Sequence, residues 1–141
     1  MFELSQFYDF CRQNGVDVIP YDGAPAPGTT IRDREHMAVF LDFSQIKSMR
    51  LLRGVCAHEM AHAATGALHK VHSPYECWER SEYRANRYMA QTILTEDAFR
   101  EAFRAGCREL WQLAEYFDLP QQDIEKALHY WKDARGVDFN T

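Results

Sequence analysis

Apolar positions set the element pattern of the chain. Leu4, Phe7, Tyr8 and Cys11 fall at i, i+3, i+4 and i+7, which predicts a helix over residues 4–14 that Asn14-Gly15 stops. VDVIPY (residues 16–21) reads as a short strand. DGAPAPGTT (22–30) predicts loop, because its Pro and Gly punctuation suits neither helix nor central strand. MAVFLD (37–42) is a second strand, and IRDRE (31–35) before it supplies a third. After Ser44 the period becomes helical. No Pro occurs from Lys47 to Thr65, and Gly66 sits where a C-terminal cap belongs. LHKVHSPYE predicts a loop broken by Pro74, and helix resumes over about residues 77–94. Thr95 is an N-cap for EDAFREAFRAG, whose first turn carries acids. CRELWQLAEYF is another helix, and Pro120 begins a last one with Ile124, Ala127, Leu128 and Trp131 as its apolar stripe.

Composition narrows this pattern without redirecting it. At 141 residues the chain has the length of one domain able to bury a core. The elements group as an N-terminal helix and small sheet (1–46), a central helical pair (47–94) and C-terminal helices (95–141). The fold class expected is α+β, helix-rich with a short N-terminal β-sheet. A net charge of -5 gives no cationic surface for nonspecific nucleic-acid binding. No apolar run approaches a membrane span. MFELSQFYDF has no basic n-region, so a cytoplasmic location is expected. Cys11, Cys56, Cys77 and Cys107 lack metal-type spacing and read as reduced, buried thiols.

The chemistry gathers in CAHEMAHAATG (56–66). Leu51, Val55, His58 and His62 are spaced by four, three and four, so they share one helix face and the two imidazoles reach a common point. H-E-x-x-H in this setting is the signature of a zinc-binding helix. Glu59 projects beside that point, where it can take a proton from a water and deliver it to a leaving amine. The flanks, GVCA and AATG, carry no charge, and polar groups in such a wall need a partner.

A third protein ligand is required. His69 is one residue late for the H-E-x-x-H-x-x-G-x-x-H spacing, and Gly66 is equally late. Glu82 is the better candidate. Trp78, Glu82, Ala85, Met89 and Ile93 form an apolar stripe with one carboxylate in it, and such a carboxylate must be protonated, paired or bound to a cation. Pairing with Arg84 or Arg87 is the structural alternative. Asn86, one turn on, is placed to orient a ligand histidine. Glu79 and Glu76 are weaker rivals. His69, His72, Tyr75 and Tyr83 are possible donors to an oxyanion. The strand over 37–42 is either an exposed edge that holds an extended peptide or an internal strand without substrate contact.

These residues resemble the ImmA/IrrE metallopeptidase family, whose members carry HExxH and then a helix of the type E-x-x-A-[ND]-x-[FYW]. The matching positions are His58, Glu59, His62, Glu82, Ala85, Asn86 and Tyr88. The similarity spans about residues 30–131 and includes ELWQLAEYFDLPQQDIEKALHYW. It implies a small zincin-like core and one zinc ion per chain. His58, His62 and Glu82 would be the ligands, with Glu59 as acid/base. It also implies a protein substrate, a transcriptional repressor of a phage or integrative element, which such enzymes cleave or otherwise relieve.

Two other readings compete. A zincin-fold protein that displaces its repressor without cutting it would have no need of Glu59 as a base. LAEYFDLPQQDIEKAL has the outline of a helix-turn-helix, but from Cys107 onward seven acids oppose Arg108, Lys126, Lys132 and Arg135. Phosphate contacts need cations, so the tail reads as a packing or docking pair without direct nucleic-acid binding.

Overall fold

The structure is a computed structural model in which residues 1–66 and 75–140 are described, with the backbone alone for 75–78. It is α+β: six α-helices and a three-stranded sheet among the described residues. Helix α1 (Leu4–Gln13) leads into β1 (Val16–Pro20), β2 (Gly28–Asp33) and β3 (His36–Leu41). The helices α2 (Met49–Thr65), α3 (Tyr75–Thr92), α4 (Glu96–Arg104), α5 (Leu110–Phe117) and α6 (Gln121–His129) follow. No described helix is long and apolar enough to cross a membrane.

Most elements fall where the periodicity puts them, and the caps set their ends. The Ser48 hydroxyl accepts from the Leu51 N–H at 3.0 Å, so α2 begins at Met49 rather than at Lys47. Thr95 caps α4 through the Ala98 N–H as expected. Helix α5 starts at Leu110, later than CRELWQLAEYF suggests, because Glu109 and Gln112 form a reciprocal capping box.

The sheet decides between the two readings of residues 37–42 and departs from the expectation at β2. Its order is β1-β3-β2, with β3 parallel to β1 and antiparallel to β2. The strand read over 37–42 is therefore central and cannot serve as the exposed edge. The edges of the described sheet are β1 and β2, and β2 begins at Gly28 inside the segment expected to be loop. The reason is a close approach: a Cβ on Gly28 would lie 2.6 Å from Val55 Cγ1 and 2.9 Å from Glu59 Cγ of α2. Glycine in a strand often marks such a contact.

Two apolar clusters stabilise the molecule. The first joins Phe7, Val39 and Leu41 to Cys56, Ala57 and Ala61 of α2 and to Ala85 and Met89 of α3. Small side chains on both helices let α2 and α3 pack closely. The second gathers Leu94, Phe99, Leu113, Leu119 and Ile124 beneath the C-terminal helices. Cys11 and Cys56 are buried free thiols, as expected, and Cys107 is partly covered. The junction between α5 and α6 docks on the start of α2. Asp118, in the left-handed conformation at φ 53°, pairs with Arg50 and Arg53. A Cβ on Gly54 would meet Pro120 Cδ at 2.6 Å.

The loop before β2 is held by one buried carboxylate. Asp42 Oδ2 accepts from the N–H groups of Gly23 and Ala24 at 3.0 Å and from Gln45 Nε2 at 2.8 Å. Asp42 Oδ1 accepts from the Ser44 hydroxyl and N–H. The Ser44 and Gln45 side chains, helped by the backbone donors, outweigh burial and hold the carboxyl at about 2, below its ordinary 3.8. A depressed carboxyl contributes stability above its unfolded value and loses it as pH falls through its folded value. The stability gap between wild type and Asp42→Asn is thus expected to stay level from neutral pH to about 4 and to close toward about 2. Denaturant titrations across that range measure it, and a gap undiminished at the acid end would locate the effect outside the carboxylate's charge.

Candidate metal centre

Helices α2 and α3 bring three ligand atoms to one point. His58 and His62, one turn apart on α2, turn both Nε2 atoms inward, 3.0 Å from each other. Glu82 of α3 meets them with both oxygens: Oε1 is 3.0 Å from His62 Nε2 and Oε2 is 3.1 Å from His58 Nε2. His62 has no exposed surface, while Glu82 keeps about 19% of its side chain exposed. These three residues are the group among the described residues that can hold a metal ion.

The donor set fits a divalent cation. With Nδ1 protonated, each Nε2 offers only a lone pair, and two lone pairs facing each other repel unless a positive charge lies between them. Tetrahedral bonds of about 2.0–2.1 Å place ligand atoms roughly 3.3 Å apart, close to the separations found here. Protons can also hold the same three groups together. Burial opposes the charged form of His58, yet the Glu82 hydrogen bond and the charges of Glu59, Glu82 and Asp123 raise its pKa above the ordinary value. Burial likewise pushes Glu82 up, but hydrogen bonds from His58 and His62 and their charges hold it well below the carboxylate range. A divalent ion bound here would displace the protons that join Glu82 to the imidazoles, because a ligand imidazole is neutral.

Glu59 is built into the same wall but stands outside the ligand set. It is 4% exposed, and its Oε1 accepts from the Thr30 hydroxyl of β2 at 2.8 Å. This hydrogen bond ties the Glu59 side chain to the sheet. The bare backbone of Gly28 permits this approach of β2.

A cleft of about 510 Å³ opens over the centre. One wall is Ala26–Thr29 at the start of β2, and the floor is the His58 and Glu59 face of α2. The opposite wall is the first turn of α6, with Pro120, Gln122, Asp123 and Lys126. Asp123 is half-buried, and burial lifts its carboxyl to about 6 against the opposing pull of His58 and Lys126.

Glu82 is joined to the two histidines, so the alternative of a pair with Arg84 or Arg87 is not needed to explain its burial. Glu79 is exposed. Among the described residues no hydrogen bond joins Asn86 to either imidazole, so the orienting role expected for it is not found. Tyr83 is 53% exposed and stands outside the cleft lining. The positions of His69 and His72 and the side chains of Tyr75, Glu76, Cys77 and Trp78 lie outside the described residues. Thr30, Gly28 and Asp123 escaped sequence reasoning. The one available signal was the glycine opening a β-rich run, which marks a close backbone approach.

No protein-family model, curated protein or solved structure matches the chain.

A ligand that binds only the folded protein stabilises it by about 2.7 kcal/mol at a concentration 100 times its Kd. Zinc in such excess is expected to raise the melting temperature of the wild type by roughly 5–10 °C. His62→Ala, whatever its own melting point, is expected to show no such increment. An equal increment in the variant would exclude His62 as a ligand.

Proposed function

We propose that the protein is a zinc-dependent metallo-endopeptidase carrying one zinc per chain on His58, His62 and Glu82. The observation that carries this reading is Glu59: a buried carboxylate beside the ligands, aimed by Thr30, with no place among them. A binding site for a structural ion has no use for such a group. A bound divalent ion supplies Lewis acidity toward water and a substrate carbonyl. Glu59 accepts the proton of the attacking water and returns it to the leaving nitrogen. Thr30 keeps the carboxylate turned toward the cleft during both transfers.

The cleft suits an extended chain. Strand β2 has one ladder edge unpaired within the described sheet, and its first residues line the cleft. A peptide lying along that edge would find backbone donors and acceptors there, with its carbonyls passing the metal ligands. The resemblance of HEMAH and SEYRANRYMA to the ImmA/IrrE metallopeptidases supports the same chemistry. It also supports a transcriptional repressor of a phage or integrative element as the natural partner.

Zinc-loaded wild type is expected to cleave members of a random peptide mixture. Glu59→Gln should keep its zinc and lose about 10²–10⁴-fold in rate, read by mass spectrometry of the products. Cleavage unaffected by this change would remove Glu59 from the chemistry. Partner release that survives it would favour a protein that displaces its repressor without cutting.

A further inference from the structure

Asp123 is the cleft carboxylate that neither the metal centre nor the proton transfer uses. It is the third residue of α6 and lies against α2 one turn before His58. A Cβ on Gly54 would come within 2.8 Å of Asp123 Oδ2, so glycine at position 54 makes room for this carboxylate. Among the described residues no hydrogen bond or ion pair reaches it. Lys126, one turn further along α6, lines the same cleft but does not close on it. A carboxylate in the first turn also complements the helix dipole of α6, yet that role is served equally well by a group facing solvent.

The groups around it determine what it can bind. His58, Glu59 and Glu82 face the cleft from α2 and α3, and Lys126 from α6, while His62 lies buried behind His58 and Glu82. His58 and Lys126 attract Asp123 through space, but among the described residues neither closes on it, so its oxygens stay open to a group in the cleft. An acidic substrate group seated against Asp123 would be repelled by it. A cationic group would satisfy a half-buried carboxylate that burial already disfavours in its charged form.

Building on the peptidase reading, we infer that Asp123 is a specificity-determining residue that selects substrates with an ammonium or guanidinium cation beside the scissile bond. Two sources share that chemistry: the side chain of a lysine or arginine, and the free α-ammonium of a chain terminus.

The test uses zinc-loaded full-length protein and peptide mixtures randomised around the cleavage position, with free or acetylated N-termini. Wild type is expected to favour Arg or Lys over Gln at one position by about tenfold in kcat/KM. Asp123→Asn should bring that ratio close to one, and Asp123→Lys should invert it toward Glu. A preference lost on acetylation, whatever the side chains, would assign the cation to the α-ammonium. Glu59-dependent cleavage with no charge preference, or with a preference that Asp123→Asn leaves intact, overturns this inference while the peptidase stands. If no peptide is cut in a Glu59-dependent way, the peptidase reading falls. Peptide binding to zinc-loaded Glu59→Gln protein then decides the inference alone. Weaker binding of arginine peptides after adding Asp123→Asn supports it, and unchanged binding overturns it. The zinc content and melting temperature of both Asp123 variants separate charge selection from damage to the fold.

Discussion

The structure depends on how α2 satisfies the polar groups it carries into a wall of small apolar residues. His62 and Glu59 are buried on a helix whose neighbours are Cys56, Ala57, Met60, Ala61 and Ala63. Left without partners, each would cost the desolvation of a polar or charged group. Two neighbouring elements supply the partners from different directions. Helix α3 brings Glu82 to the imidazoles, and strand β2 brings Thr30 to Glu59. Both approaches need small residues at the contact: Ala57, Ala61 and Ala85 between the helices, and Gly28 between strand and helix.

This division sends the polar side chains of one helix turn to two different partners. The histidines face α3 and form with Glu82 a group that can hold a metal ion, while the glutamate between them pairs with the sheet and stays outside that group. Its hydroxyl partner holds position without supplying a charge. The C-terminal helices add the third side. Asp118 binds Arg50 and Arg53 at the start of α2, and Pro120 seats against Gly54. The cleft thereby gains a wall from a segment that resembles a helix-turn-helix in sequence but packs here beside the metal centre.

Much of this was legible in the sequence because it rests on local spacing. The four-residue step between His58 and His62 places them on one face of any helix. A lone carboxylate in the stripe of Trp78, Ala85, Met89 and Ile93 marks Glu82 as a group that must be protonated, paired or bound to a cation. The cap at Thr95 fixed the start of α4. What was not legible depends on long-range pairing. Nothing near residues 37–42 says that β3 will insert between β1 and β2, since strand order is set by packing against α1 and α2. Nor does DGAPAPGTT reveal that Gly28 begins a strand, because its reason lies 27 residues away at Val55. Thr30 and Asp123 gain their importance only from neighbours on α2.

The most direct test of the metal centre is the metal content of purified protein after exposure to zinc and removal of the excess, for wild type and Glu82→Ala. The account predicts about one zinc per chain in the wild type and a sharp loss in the variant, with helical content retained. No zinc in either protein, or zinc undiminished in the variant, would contradict it.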